Sequence, residues 1–101
     1  MLTPSDKQVI AEYMGWFKHI YFYKYDEPIY FQEGVAGDIV FDLNDAGLCV
    51  EKMVEKRDWK EFHYSVATHQ ERLRVSFADI TAWLFNADNF FQAMAAWLRQ
   101  K

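Results

Sequence analysis

The run LNDAGLCVEKMVEKR, residues 43–57, constrains the fold more than any other stretch of the chain. Ala46, Cys49, Val50, Met53 and Val54 recur at i, i+3, i+4, i+7 and i+8, which puts them on one face of a helix. Asn44 stands just before that pattern, where its side-chain oxygen can accept orphan backbone N–H groups as an N-cap. Asp45 adds negative charge at the positive end of the helix dipole, and Lys52, Lys56 and Arg57 add positive charge toward the other end. The other elements have to supply the surfaces that cover this apolar stripe.

The chain's 101 residues are expected to form one domain over 1–101, long enough for a core without metal or disulfide staples. Hydrophobic residues make up 51% and aromatic residues 19%, so the chain can bury enough surface to order itself. The aromatic excess reads first as core, and second as a contact surface suited to tyrosine and tryptophan. Net charge is −4, and the acids cluster: Asp26, Glu27, Glu33, Asp38, Asp42 and Asp45 occur with no Lys or Arg between them. A nucleic-acid binder needs a basic stripe to displace counterions, and none is visible. The acidic run can attract a basic partner surface; read plainly, it is a solvated face.

A single cysteine excludes an internal disulfide and favours a reducing compartment. Cys49 lies on the apolar helical face, as a buried, inert thiol would. The sequence shows no basic-then-apolar segment at its start and no run of 18 apolar residues, so no lipid anchor or membrane span is expected. The expectation is a soluble protein of the cytoplasm, with no membrane partner.

Thr3-Pro4-Ser5-Asp6 is a helix start: Thr3 caps, Pro4 suits the first helical position, and Asp6 can reach back. Val9, Ile10, Tyr13, Met14 and Phe17 follow with helical spacing, and Gly15 can end the helix in the left-handed conformation, giving a helix over 4–14. Residues 18–31 turn to aromatic and β-branched types, which favour strands. Here His19, Tyr21, Tyr23 and Tyr25 alternate with Ile20, Phe22 and Lys24. Asp26-Glu27-Pro28 reads as a turn, residues 29–31 as a second strand, 33–37 as a loop, and 38–41 as a short extended piece.

After the central helix, Phe62, Tyr64 and Val66 alternate with polar residues, as do Leu73, Val75 and Phe77. With a polar stretch over 68–71 between them, these runs predict a β-hairpin whose outer face carries His63, Arg72 and Arg74. Residues 79–85 suit a further strand or an extended link. Ala87, Phe90, Phe91, Met94, Ala95 and Leu98 form a last helical stripe, capped by Asn86, with Trp97 toward its edge. The order helix-strands-helix-hairpin-helix predicts an α+β fold, a small antiparallel sheet packed with about three helices. No glycine-rich loop joins a strand to a helix, which disfavours a doubly wound nucleotide-binding fold.

Catalytic chemistry finds little support. Ser65 and His63 share one face of the expected strand, as on any polar strand face, with no nucleophile elbow. His63 and His69 lack zinc-ligand spacing, and Asp38, Asp42 and Asp45 lack the pattern of a calcium loop; neither metal nor cofactor is expected. Two binding ideas remain. Tyr21, Tyr23, Tyr25 and Tyr30, beside Asp26, Glu27 and Glu33, would form an aromatic, acid-flanked surface for a basic protein partner. Alternatively, His63, Arg72 and Arg74 would hold an anionic small molecule such as a signalling nucleotide.

IAEYMGW (residues 10–16), FDLNDAGLCVEKMVEK (41–56) and NADNFFQAMAAWLRQ (86–100) together resemble small bacteriophage and prophage proteins of the ABA-sandwich type. In those, a small antiparallel sheet lies between helices. The likeness is carried by Ile10, Ala11, Met14, Gly15, Asn44, Val50, Glu51, Lys52 and Met53, and by element order over most of the chain. The tyrosine-rich segment 21–30 and the acidic run depart from the pattern. The resemblance implies a phage-type, viral origin and carries over no catalytic residue. Such families are mostly of unassigned activity, and some small phage proteins are anti-defence factors, anti-CRISPR proteins among them, acting on a protein or a signalling nucleotide. The expectation is a non-catalytic interaction protein in a bacterial host, inhibiting a host defence complex. The alternatives are an anionic-ligand binder and a homo-oligomeric accessory phage protein.

Overall fold

Local signals set the first helix as its sequence predicts. The computed structural model describes residues 2–24, 27–69 and 77–101, with side chains outside 20–27 and 68–80. Helix α1 (Pro4–Met14) starts in a capping box: Asp6 N donates to Thr3 Oγ1 at 3.1 Å, and Thr3 N donates to Asp6 Oδ2 at 3.0 Å. Gly15, at φ 72°, ends it in the left-handed conformation, and Trp16 N closes back onto Ala11 O at 2.9 Å. Burial would raise the Asp6 carboxyl, but hydrogen bonds from Thr3 and the Arg99 guanidinium outweigh it and hold Asp6 below the ordinary carboxylate value.

Strands β1 (Phe17–Lys24) and β2 (Glu27–Phe31) pair antiparallel, with Phe17 opposite Phe31. The register shifts between His19 and Tyr23, and Pro28, which has no N–H to give, stands opposite Tyr23 at that irregularity. Beyond β2, Ile39 N donates to Tyr30 O at 2.9 Å, an isolated bridge from the expected extended piece. Tyr30 was expected on an exposed aromatic face; it is 3% exposed and belongs to the core. The bridge to Ile39 and the edge-to-face contact with Phe41, 6.3 Å between centroids, bring it inside.

Helix α2 (Leu43–Glu55) buries Ala46, Cys49 and Met53, as the stripe predicts. Val54, at the edge of that arc, is exposed. Its cap is Asp42, not Asn44. Asp42 Oδ1 accepts Asp45 N at 2.9 Å, and Asp45 Oδ2 accepts Asp42 N at 3.5 Å as well as Val40 N at 2.8 Å. Two carboxylates three residues apart complete a reciprocal box, which leaves Asn44 inside the first turn.

The expected second hairpin is not observed. Helix α3 (Trp59–His69) occupies its first half, and helix α4 (Phe77–Leu84) replaces the strand or link expected over 79–85. Leu73, Val75 and the turn residues 70–71 lie outside the described residues. The alternation at Phe62, Tyr64 and Val66 also contains a helical set: Trp59, Phe62, His63, Val66 and Ala67 stand at i, i+3, i+4, i+7 and i+8. Packing selects it, because Phe62 meets Phe90 and Trp97 with ring centroids 5.6 Å away in each case. The fold is α+β, with a two-stranded antiparallel sheet and five helices among the described residues.

Helix α5 (Ala87–Gln100), capped by Asn86, packs against α1, α2, α3 and α4. Trp97 was expected at the edge of its stripe; it is 3% exposed, between Tyr13 and Phe62. A helix surrounded on several sides buries a wider arc than a surface helix does. Rings meet in sequence across the interior: Trp16 and Tyr30 on Phe41, then Phe91, Phe90, Phe62, Trp97 and Tyr13, at centroid separations of 5.2–6.3 Å. The aromatic excess among these residues is core.

Phe62 sits fully buried midway along that series. Phe62→Ala should cost about 3–5 kcal/mol of unfolding free energy, read as a lower urea midpoint, and should cost far more than Tyr64→Ala on the exposed side of α3.

Candidate functional site

Where α1 ends and β1 begins, the chain passes through Gly15 and sends successive side chains to opposite sides. Trp16 goes into the core, and Phe17 stays 55% exposed. Because Phe17 pairs with Phe31, the residues that follow β2 return to the same place. Trp16 Nε1 donates to Gln32 Oε1 at 2.7 Å, which fixes the residue before Glu33. On α2, Leu48, Glu51, Lys52 and Glu55 stand at i, i+3, i+4 and i+7, one face of the helix turned to this spot.

Together these segments enclose an open cleft of about 310 Å³. Met14, Leu48 and Phe17 supply its apolar surface; Glu33, Glu51 and Glu55 supply carboxylates, and Lys52 the single cation among the described lining. None of the three carboxylates forms an ion pair or side-chain hydrogen bond among the described residues. Glu51 and Glu55 are like charges at i, i+4, an arrangement that repels unless a cation lies between or beside them. Among the described residues no three acidic, histidine or cysteine groups converge closely enough to hold a metal ion. Carboxylates that come from separate segments of a mainly polar cleft, with a few apolar side chains among them, suit an extended organic cation better than a point charge.

Of the expected tyrosine and acid set, Glu33 alone is placed in this cleft. Tyr30 is core. The side chains of Tyr21, Tyr23 and Glu27, and residues Tyr25 and Asp26, lie outside the described residues. The rest of the acidic run divides: Asp38 is exposed, while Asp42 and Asp45 cap α2. Burial pushes the Asp45 carboxyl up, with Asp42 adding to that, against the lowering effect of the Val40 N–H bond. The sequence places Phe17 in a helical stripe and Glu51 on the central helix, and marks neither of them, nor Glu55, as a contact residue. Their signal was the like-charged i, i+4 pair on the polar side of the best helix in the chain.

The anion-binding set fares differently. His63 is not on an outer strand face; it is buried on α3, its ring 5.6 Å from that of Trp59. Arg72 and Arg74 lie outside the described residues. Ser65 and His63, two apart on a helix, point about 200° apart around its axis, which dissolves the shared face a strand would have given them. Ser65 instead lines a second cleft, about 240 Å³, with Val66, Trp83, Asn89, Gln92 and neighbouring residues of α5. No charged side chain is among its described lining, so it offers an anion no counter-charge. No helix of the described residues is long and apolar enough to cross a membrane. No known protein family, curated protein or solved structure matches this chain.

Two chemical consequences can be measured. Burial, and secondarily the Asp45 charge, pushes the Cys49 thiol far above its ordinary value. A thiol reagent at pH 8 should therefore leave the native protein unmodified and label Cys49 fully in denaturant. Burial also lowers the pKa of His63 below its ordinary 6.5. The unfolded chain then binds the proton more readily, so His63 contributes stability above pH 6.5 that is lost as pH falls through its folded value. Unfolding midpoints taken downward from pH 7 should fall in that window, and the imidazole should titrate below 6.5 by NMR.

Proposed function

We propose that this chain is a non-catalytic interaction protein of phage type, which binds a host protein presenting basic residues, in the bacterial cytoplasm. The observation that carries this reading is the cleft formed by Phe17, Glu33, Glu51 and Glu55: a half-exposed aromatic ring beside carboxylates that pair with nothing among the described residues. Aromatic residues are enriched in protein interfaces, whose rims are polar and solvent-accessible. Negative charge there speeds encounter with a positively charged surface and sets its orientation. The phage-type origin and the role against a host defence complex belong to the proposal by analogy with the small phage proteins that residues 10–16, 41–56 and 86–100 resemble. The tyrosines 21, 23 and 25, whose side chains lie outside the described residues, remain part of the proposal on the sequence pattern alone.

The test is capture from a bacterial lysate, identification of the captured protein, and reconstitution with that protein purified. Phe17→Ala and Glu51→Lys should each weaken the reconstituted complex by about tenfold or more while the melting temperature stays within a few degrees of wild type. Binding that ignores both changes would remove the cleft from the contact surface. A small anion released on denaturation, in place of any protein partner, would overturn the interaction reading.

A further inference from the structure

We infer that the cleft between the α1–β1 junction, the β2 exit and α2 is a receptor for a single arginine side chain presented by the partner. This rests on the reading of the protein as an interaction module and names the chemistry that module recognises. Arginine meets each feature of the site. Its three-carbon stem covers apolar surface of the kind Met14 and Leu48 provide. Its planar guanidinium stacks on an aromatic face, and Phe17, at the rim, is exposed enough to offer one.

Its five donors can satisfy carboxylates that come from separate segments, Glu33 from the loop after β2 and Glu51 and Glu55 from α2. A lysine ammonium carries the same charge but as a compact point, and serves a dispersed set less well. A divalent metal ion needs its ligands gathered within coordination distance, and no such group occurs among the described residues. The cation also removes the cost of holding Glu51 and Glu55 as like charges one helical turn apart. Lys52 shares the cleft as a resident positive charge, and in this arrangement it competes with the incoming guanidinium.

The experiment titrates the intact protein with blocked Gly-Arg-Gly tripeptide, and with its lysine and citrulline counterparts, following backbone amide NMR shifts. The arginine peptide should shift Phe17, Glu33, Glu51 and Glu55 in a saturable way, binding about threefold tighter than lysine and at least about tenfold tighter than uncharged citrulline. Glu51→Gln with Glu55→Gln, two exposed positions, should abolish that response with an unchanged melting temperature. Phe17→Leu should weaken it, and Lys52→Ala should strengthen it. Equal binding of citrulline, a preference for lysine, or the same shifts on adding calcium alone would overturn the proposal. If the arginine peptide leaves these residues unmoved while Phe17→Ala still breaks the reconstituted complex, the interaction reading stands and the arginine receptor falls.

Discussion

Burial of the aromatic face of α5 is the interaction on which the other helices depend. Phe90, Phe91, Met94, Ala95 and Trp97 are buried on it, and α1, α2, α3 and α4 all pack against it. Each partner brings its own contribution: Phe62 from α3 meets Phe90 and Trp97, and Tyr13 from α1 meets Trp97 edge-on at 5.8 Å. Arg99, near the end of the same helix, pairs with Asp6 in the first turn of α1. Lys101, one residue beyond α5, pairs with Asp58 at 3.4 Å, and Asp58 also accepts the Tyr13 hydroxyl at 2.7 Å. Polar contacts at the C-terminal end of α5 therefore help fix the alignment that its apolar face drives.

Elements whose boundaries carry chemistry of their own were legible in the chain. Thr3, Pro4 and Asp6 start α1, Gly15 ends it, and Asn86 starts α5; each signal is local and needs no tertiary partner to act. The segment around Phe62 was not legible, because residues 59–67 satisfy two periods at once. Alternation is visible in three apolar residues, whereas the helical set needs Trp59 and His63 counted as inward-facing. Only the rings of α5 settle which period applies. Tyr30 reads as surface because of its polar tip, and Trp97 because it lies off the centre of the α5 stripe, yet both rings have aromatic neighbours on the inside.

The candidate site shows a different limit. Its residues come from 14–17, 32–33 and 48–55, three stretches with no shared motif. The acidic run between Asp26 and Asp45 looked like one feature because it is contiguous, but folding divides its members among different tasks. Asp42 and Asp45 close the start of α2, and Glu33 faces carboxylates that lie later in the chain. Contiguity in sequence is a poor guide to electrostatic grouping, since fields are set by distance through space.

The bond from the Trp16 indole to Gln32 links this cleft to the interior. Trp16 is buried and lies against Phe41, which lies against Phe91 of α5. Moving Gln32 away would leave a buried N–H without an acceptor, at a cost of about 1–3 kcal/mol. The loop that carries Glu33 is therefore tethered at its base before any ligand arrives, and association need spend little conformational entropy in ordering it. Recognition at the surface draws in this way on rigidity generated in the core, so a softened core would loosen binding without altering a single contact residue.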